Sequence, residues 1–175
     1  MENQGLIEVY TGNGKGKSTA AFGLALRASG WGLHVAIIQF MKPGEGYGET
    51  IAFEQMPNIE RYSFGLKGFL RKGEPPDAAS IRIAECAMQK AAQLMADPGV
   101  DILILDEINN AIAFDLVSEE AVLDLIDKKL PAQELVLTGR DAPSALIAKA
   151  DLVTEMKEIK HPYQQGILAR RGIEY

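Results

Sequence analysis

Tyr10-Thr11-Gly12-Asn13-Gly14-Lys15-Gly16-Lys17-Ser18-Thr19 decides how this chain is read. The run before it, Leu6-Ile7-Glu8-Val9-Tyr10, has the character of a buried strand, and Ala20-Ala21-Phe22-Gly23-Leu24-Ala25-Leu26 after it opens a helix. Strand, glycine-rich loop and helix form the context of a loop that cradles phosphate. The glycines let backbone N–H groups turn inward with no Cβ in the way, and the helix points its positive end at the same spot. Lys17 offers a full charge to the outer phosphates and Ser18 a hydroxyl to Mg²⁺. The usual pattern, G-x-x-x-x-G-K-[ST], has glycine where Thr11 stands. Gly12 and Gly14 follow, with an extra cation at Lys15. The tip of the loop is therefore expected to differ from the common form, and the phosphates to lie differently in it.

Val100-Asp101-Ile102-Leu103-Ile104-Leu105-Asp106-Glu107 is the second strong signal. Four apolar residues lead into an acidic pair, as on a central strand that delivers carboxylates to a Mg²⁺ beside the phosphates. Alone the pattern would be weak; downstream of a phosphate loop it is specific. Glu134-Leu135-Val136-Leu137-Thr138 is a further strand, and Gly139-Arg140 after it would bring a guanidinium to the ligand edge of the sheet.

The remaining elements follow from periodicity and punctuation. A first helix is expected from Lys17 to Ser29, stopping at Gly30, and a doubly covered parallel strand from His34 to Phe40. Residues 41–76 read as a glycine-rich loop, a short helix over Thr50–Gln55, a short strand over Ile59–Ser63, and a segment with the character of a lid or binding loop. Asp77 caps a helix to about Ala96 whose inner face is expected to carry Ile81, Ala84, Met88, Ala91, Ala92 and Met95. Ser118 caps another, with Glu119 and Glu120 in its first turn and Lys128 and Lys129 in its last. A short helix over Pro143–Lys149 and a strand over Leu152–Glu155 complete the pattern. Alternating strands and helices predict an α/β protein with a mainly parallel sheet of about six strands, its right-handed crossovers gathering the loops on one edge.

The 175 residues, 47% hydrophobic and 24% charged, suit one globular domain. A formal net charge of −6 gives no global attraction to nucleic acid or anionic lipid. With a single cysteine, Cys86, no internal disulfide forms; its helical setting predicts a small buried hydrophobe. Trp31, after the first helix, and His34 are expected to be structural. The chain enters a strand almost at once and carries no bilayer-length apolar run, so a cytoplasmic protein without a signal peptide is expected. Read from the residues alone, two outcomes stay open. These are an enzyme acting on a Mg²⁺–nucleotide, a kinase or hydrolase acting at the terminal phosphate among them, and a nucleotide-switched binding module.

The detail of the motifs narrows this. Thr11 to Gly23, Leu105-Asp106-Glu107, Thr138-Gly139-Arg140, Lys160-His161-Pro162 and Gly172-Ile173-Glu174-Tyr175 closely resemble the ATP:corrinoid adenosyltransferases of the cobalamin-synthesis type. The resemblance runs from the first strand to the last residue. It implies a RecA-like fold, a homodimer, and a reaction in which Co(I) of a reduced corrinoid attacks the 5′ carbon of ATP and triphosphate leaves. It also implies a nucleotide reversed relative to ordinary P-loop enzymes, in keeping with the odd loop. On this reading Gly12, Asn13, Gly14, Lys15, Gly16, Lys17, Ser18, Thr19 and Arg140 bind the nucleotide. Lys17 and Glu107 carry the chemistry. Ser18 and Glu107, supported by Asp106, hold Mg²⁺ or Mn²⁺. Cobalamin or a related corrinoid is the second substrate, and a flavoprotein is a candidate reductant. Some family members place a phenylalanine and a tryptophan two residues apart in the loop before the long helix, to displace the corrinoid's lower ligand. Phe69 matches the first and Arg71 stands at the second, so Phe69 is the expected corrinoid contact. The long N-terminal arm that many bacterial members carry is nearly missing from this sequence.

Overall fold

A computed structural model describes residues 4–66 and 73–175. Six strands form one parallel sheet: β1 (Ile7–Thr11), β2 (Val35–Phe40), β3 (Ile59–Phe64), β4 (Ile102–Asp106), β5 (Glu134–Thr138) and β6 (Leu152–Glu155), in the spatial order β3-β2-β4-β5-β1-β6. The helices are α1 (Lys17–Gly30), α2 (Gly48–Phe53), α3 (Ala78–Met95), α4 (Ile108–Ala113), α5 (Glu119–Ile126) and α6 (Ser144–Lys149). This is the α/β architecture expected of a RecA-like P-loop fold.

The central strands are apolar throughout because both faces are covered. Ile102 and Ile104 pack with Ala21, Ala25 and Ala28 of α1, and Leu103 and Leu105 pack on the other face with α3 and α5. The alternation of strand side chains thus builds two cores from one sequence run. Small residues on α1 let the helix carrying the phosphate loop lie close to the sheet.

Several boundaries and faces differ from the sequence reading. The inner face of α3 carries Ala84, Ala87, Ala91, Leu94 and Met95, whereas Ala92 and Cys86 are exposed. The buried stripe lies slightly around the helix from the expected one, which turns the single thiol to solvent. Asp77 caps this helix as expected, accepting from the N–H groups of Ala79 and Ser80. Helix α5 ends at Ile126, so Lys128 and Lys129 lie past its last turn; Lys129 Nζ instead donates to the carbonyls of Gly5, Leu130 and Gln133. Trp31 is 85% exposed, so its ring is not part of the core; its backbone N–H donates to the Ala28 carbonyl and closes the end of α1, as Gly32 N–H does to Ser29. Helix α4 was not anticipated. Among the described residues no helix is long and apolar enough to cross a membrane.

Candidate active site

The carboxyl ends of β1, β2, β4 and β5 open onto one edge, and a cleft of about 800 Å³ lies there. It brings together Gly14, Lys15, Gly16, Lys17, Ser18, Thr19, Glu107 and Arg140 from widely separated parts of the chain. Gly12 and Asn13 belong to the same loop but do not line the cleft, and Asp106 is buried behind it. Phe69 and Arg71 lie outside the described residues.

The unusual loop sequence has a structural cause. Thr11 is the last residue of β1, buried, and its hydroxyl accepts from the N–H of Ala142, tying β1 to the loop beyond β5. The turn therefore begins one residue later, at Gly12, whose φ is 93°. A Cβ on Gly12 or Gly14 would stand 2.5 or 2.7 Å from the carbonyl oxygen of Met156, closer than real Cβ contacts come. These glycines are required because the segment that follows β6 presses on the loop; Gly14 N–H donates to that same carbonyl at 2.6 Å.

Lys17 is buried and its ammonium donates to the carbonyls of Gly12 and Gly14 at 2.7 and 2.8 Å. Burial lowers its pKa, opposed by the charge of Glu107. In this arrangement Lys17 ties the loop to itself, and it is one of the residues that line the cleft.

The acidic pair divides into two unlike groups. Asp106 is fully buried: Oδ1 accepts from Thr138 Oγ1 at 2.8 Å, and Oδ2 from Gln39 Nε2 at 3.3 Å and Lys42 Nζ at 2.7 Å. Lys42 was missed in the sequence because it looked like an ordinary loop cation. It stands just past β2, after Met41 at φ 60°, and faces the rings of Phe22 and Tyr47 at 5.7 Å each. Burial acts to lower its pKa, but the charge and hydrogen bond of Asp106 overcome this and leave it raised.

Glu107 has left-handed backbone geometry, φ 65°, at the start of α4, and its N–H donates to Thr138 Oγ1 at 3.0 Å. That conformation is costly for a residue with a Cβ, about 1–3 kcal/mol, and aims the side chain into the cleft. Its Oε2 is buried without a hydrogen-bond partner among the described residues. Burial and the Asp106 charge push the Glu107 carboxyl up, against the pull of Lys42, Lys17 and Arg140. A buried, unpartnered carboxylate oxygen in a cleft that Ser18 and the glycine-rich loop also line suits a Mg²⁺, which takes few protein oxygens and fills its shell with water and phosphate. Arg140 is exposed at the mouth, its backbone N–H held by Asn110 Oδ1 at 2.6 Å.

An all-parallel sheet, helices on both faces and the phosphate loop at the strand ends define a protein of the P-loop, RecA-like class. Residues 3–175 match the sequence profile of the family described as ATP:corrinoid adenosyltransferase BtuR/CobO/CobP. The chain belongs to that family of transferases. It is 38% identical over 174 residues to a corrinoid adenosyltransferase of Pseudomonas aeruginosa, covering 99% of this chain and 85% of the relative. It is 35% identical over 177 residues to corrinoid adenosyltransferase CobA of Salmonella typhimurium, covering 100% and 88%. A corrinoid adenosyltransferase of Escherichia coli K12 is 34% identical over 177 residues, with the same coverage.

Proposed function

We propose that this chain transfers the 5′-deoxyadenosyl group of ATP to Co(I) of a reduced corrinoid and releases triphosphate. The electron pair of Co(I) forms the cobalt–carbon bond as the C5′–oxygen bond breaks, and that bond's electrons leave on triphosphate. Because Co(I) is itself a strong nucleophile, the protein's work is to orient C5′ and to stabilise a departing polyanion. The observation that carries the reading is the cleft itself, where a phosphate loop with Lys15 and Lys17, and Arg140 across it, faces Glu107 and its unpartnered oxygen.

In this reading Gly12 to Thr19 and Arg140 hold the nucleotide, with Lys17 and Glu107 nearest the chemistry. Ser18 and Glu107 would hold Mg²⁺, which Mn²⁺ can replace, and it would screen phosphate charge there. Asp106 supports that site from behind, its oxygens already taken by Thr138, Gln39 and Lys42. Phe69 contacts the corrinoid. Family membership supports a single-domain homodimer working in the cytoplasm, with a flavoprotein supplying electrons to the corrinoid.

The competing reading, a kinase or hydrolase acting at the terminal phosphate, draws on Glu107 as a base with a raised pKa. Phosphorus NMR separates the two. ATP, Mg²⁺ and cob(I)alamin should give triphosphate and a light-sensitive alkylated corrinoid in equal amounts, with ADP nearly absent. Stoichiometric ADP without alkylated corrinoid would remove the adenosyltransferase reading.

A further inference from the structure

The segment after β6 holds the phosphate loop at two points. At its root, Met156 carbonyl accepts from Gly14 N–H. At its far end, Lys15 Nζ donates to the Ile173 carbonyl and to Glu174 Oε1, both at 3.0 Å. The far end is a closed turn. Gly172 N–H donates to the Tyr175 carbonyl at 2.7 Å, and Arg170 donates to Glu174 through its backbone N–H, Nε and Nη2 at 2.7, 3.3 and 3.1 Å. Gly172, Ile173, Glu174 and Tyr175 line the same cleft as the phosphate loop.

We infer that the turn Arg170–Tyr175 is a wall of the nucleotide site, and that Glu174 is a positioning residue that fixes the Lys15 ammonium at the mouth of the cleft to receive a polyphosphate oxygen. Lys15 is the residue a fixed partner would serve best. It stands on the exposed tip of the loop, and a free lysine there would spread over many rotamers and lose that freedom on binding. Two of the three ammonium donors go to Ile173 and Glu174, and the third is left for a ligand oxygen. Arg170 completes the arrangement by neutralising Glu174, so the carboxylate orients Lys15 without making the mouth negative. The inference rests on reading the cleft as a triphosphate site and adds a residue to it.

Calorimetry on the full chain with tripolyphosphate, MgATP and adenosine tests this. Removing a negative charge beside an anion site should, by charge alone, tighten anion binding. Positioning predicts the opposite sign. Glu174→Gln and Lys15→Met should each weaken tripolyphosphate and MgATP by roughly tenfold, the scale of one charge-assisted contact, and leave adenosine unchanged. The double variant should lose no more than either single one, since both changes remove the same contact. Equal or tighter tripolyphosphate binding by Glu174→Gln overturns the proposal, as do losses that simply add. A parallel loss of adenosine binding also overturns it, because it marks a merely structural role. Lys15→Met alters no residue of the turn, so unchanged tripolyphosphate affinity in that variant sinks the idea even if Glu174→Gln folds poorly. A wild-type chain that binds no tripolyphosphate removes the triphosphate site and this proposal together. Normal wild-type binding with unaffected variants removes this one alone.

Discussion

Three side chains of the site, Lys17, Glu107 and Glu174, each answer to a separate measurement. Lys17 ties Gly12 to Gly14 through their carbonyls and stands in the field of Glu107 and Asp106. Its value lies in the phosphate it would meet. Lys17→Ala should keep the fold and weaken MgATP binding by about 1.5–3 kcal/mol, the worth of a charge-assisted contact. Unchanged affinity in calorimetry would remove the role. Glu107→Gln keeps the shape and removes the charge. A large loss of turnover and a raised Mg²⁺ requirement are expected, and a superimposable metal titration would count against Glu107 as a ligand. Glu174 is held at a pKa of about 2, below the ordinary 4.5, by the hydrogen bond of Arg170 first, then its backbone, then Lys15. A depressed carboxylate contributes stability that is present above about 4.5 and is lost as pH falls through about 2. The turn at 170–175 should therefore open in that acid window before the sheet does. Hydrogen exchange at Glu174 N–H checks this, and protection that persists at pH 2 would contradict it.

At the scale of elements, the loop and the segment after β6 are tied together by the Gly14–Met156 hydrogen bond and the contacts of Lys15. Gly12→Ala would combine a φ of 93° with a Cβ 2.5 Å from Met156 oxygen. A loss of about 1–3 kcal/mol is expected from the strained backbone alone, more if the Met156 segment is displaced. Denaturant unfolding reads the loss, and a stability equal to wild type would show that the segment yields freely. What was legible beforehand follows the same physics. The strands β2, β4 and β5 were plain because a doubly covered strand must be apolar on both sides. Asp77 and Ser118 announced their helices because they accept from first-turn N–H groups. Helix α4 was not legible. Its six residues, Ile108–Ala113, follow Glu107, which is in left-handed geometry and makes no side-chain cap, so no cap signal precedes it. Lys42 and the clasp on Lys15 were hidden for another reason. Lys42 meets Asp106, and Lys15 meets Glu174, across long stretches of sequence, and no periodicity encodes such pairs. Cys86 and Ala92 were misplaced because α3 presents alanines on both its buried and its exposed sides.

Across the whole molecule, an acidic chain of net charge −6 concentrates cations at one cleft. Lys15 and Lys17 arrive from the loop after β1, Lys42 from the end of β2 and Arg140 from the end of β5, facing Glu107 at the end of β4. The last turn, 170–175, closes over the first loop, so the cleft is assembled from nearly the full length of the chain. A ligand seated there holds these parts together and cannot be retained by the unfolded chain. Binding must then appear as global stability. At a hundred times its dissociation constant a ligand adds about 2.7 kcal/mol. For a chain of this size each kcal/mol raises the melting temperature by about 2–4 °C, so saturating MgATP should raise it by roughly 5–11 °C. Adenosine, which lacks the phosphates, binds more weakly and should shift it less at equal concentration. Lys17→Ala should lose part of the MgATP shift measured against its own ligand-free melting, which itself falls with the two loop hydrogen bonds that Lys17 makes. A MgATP-saturated protein that melts at the ligand-free temperature would mean that the nucleotide does not bridge these elements, and the cleft would lose its standing as the ATP site.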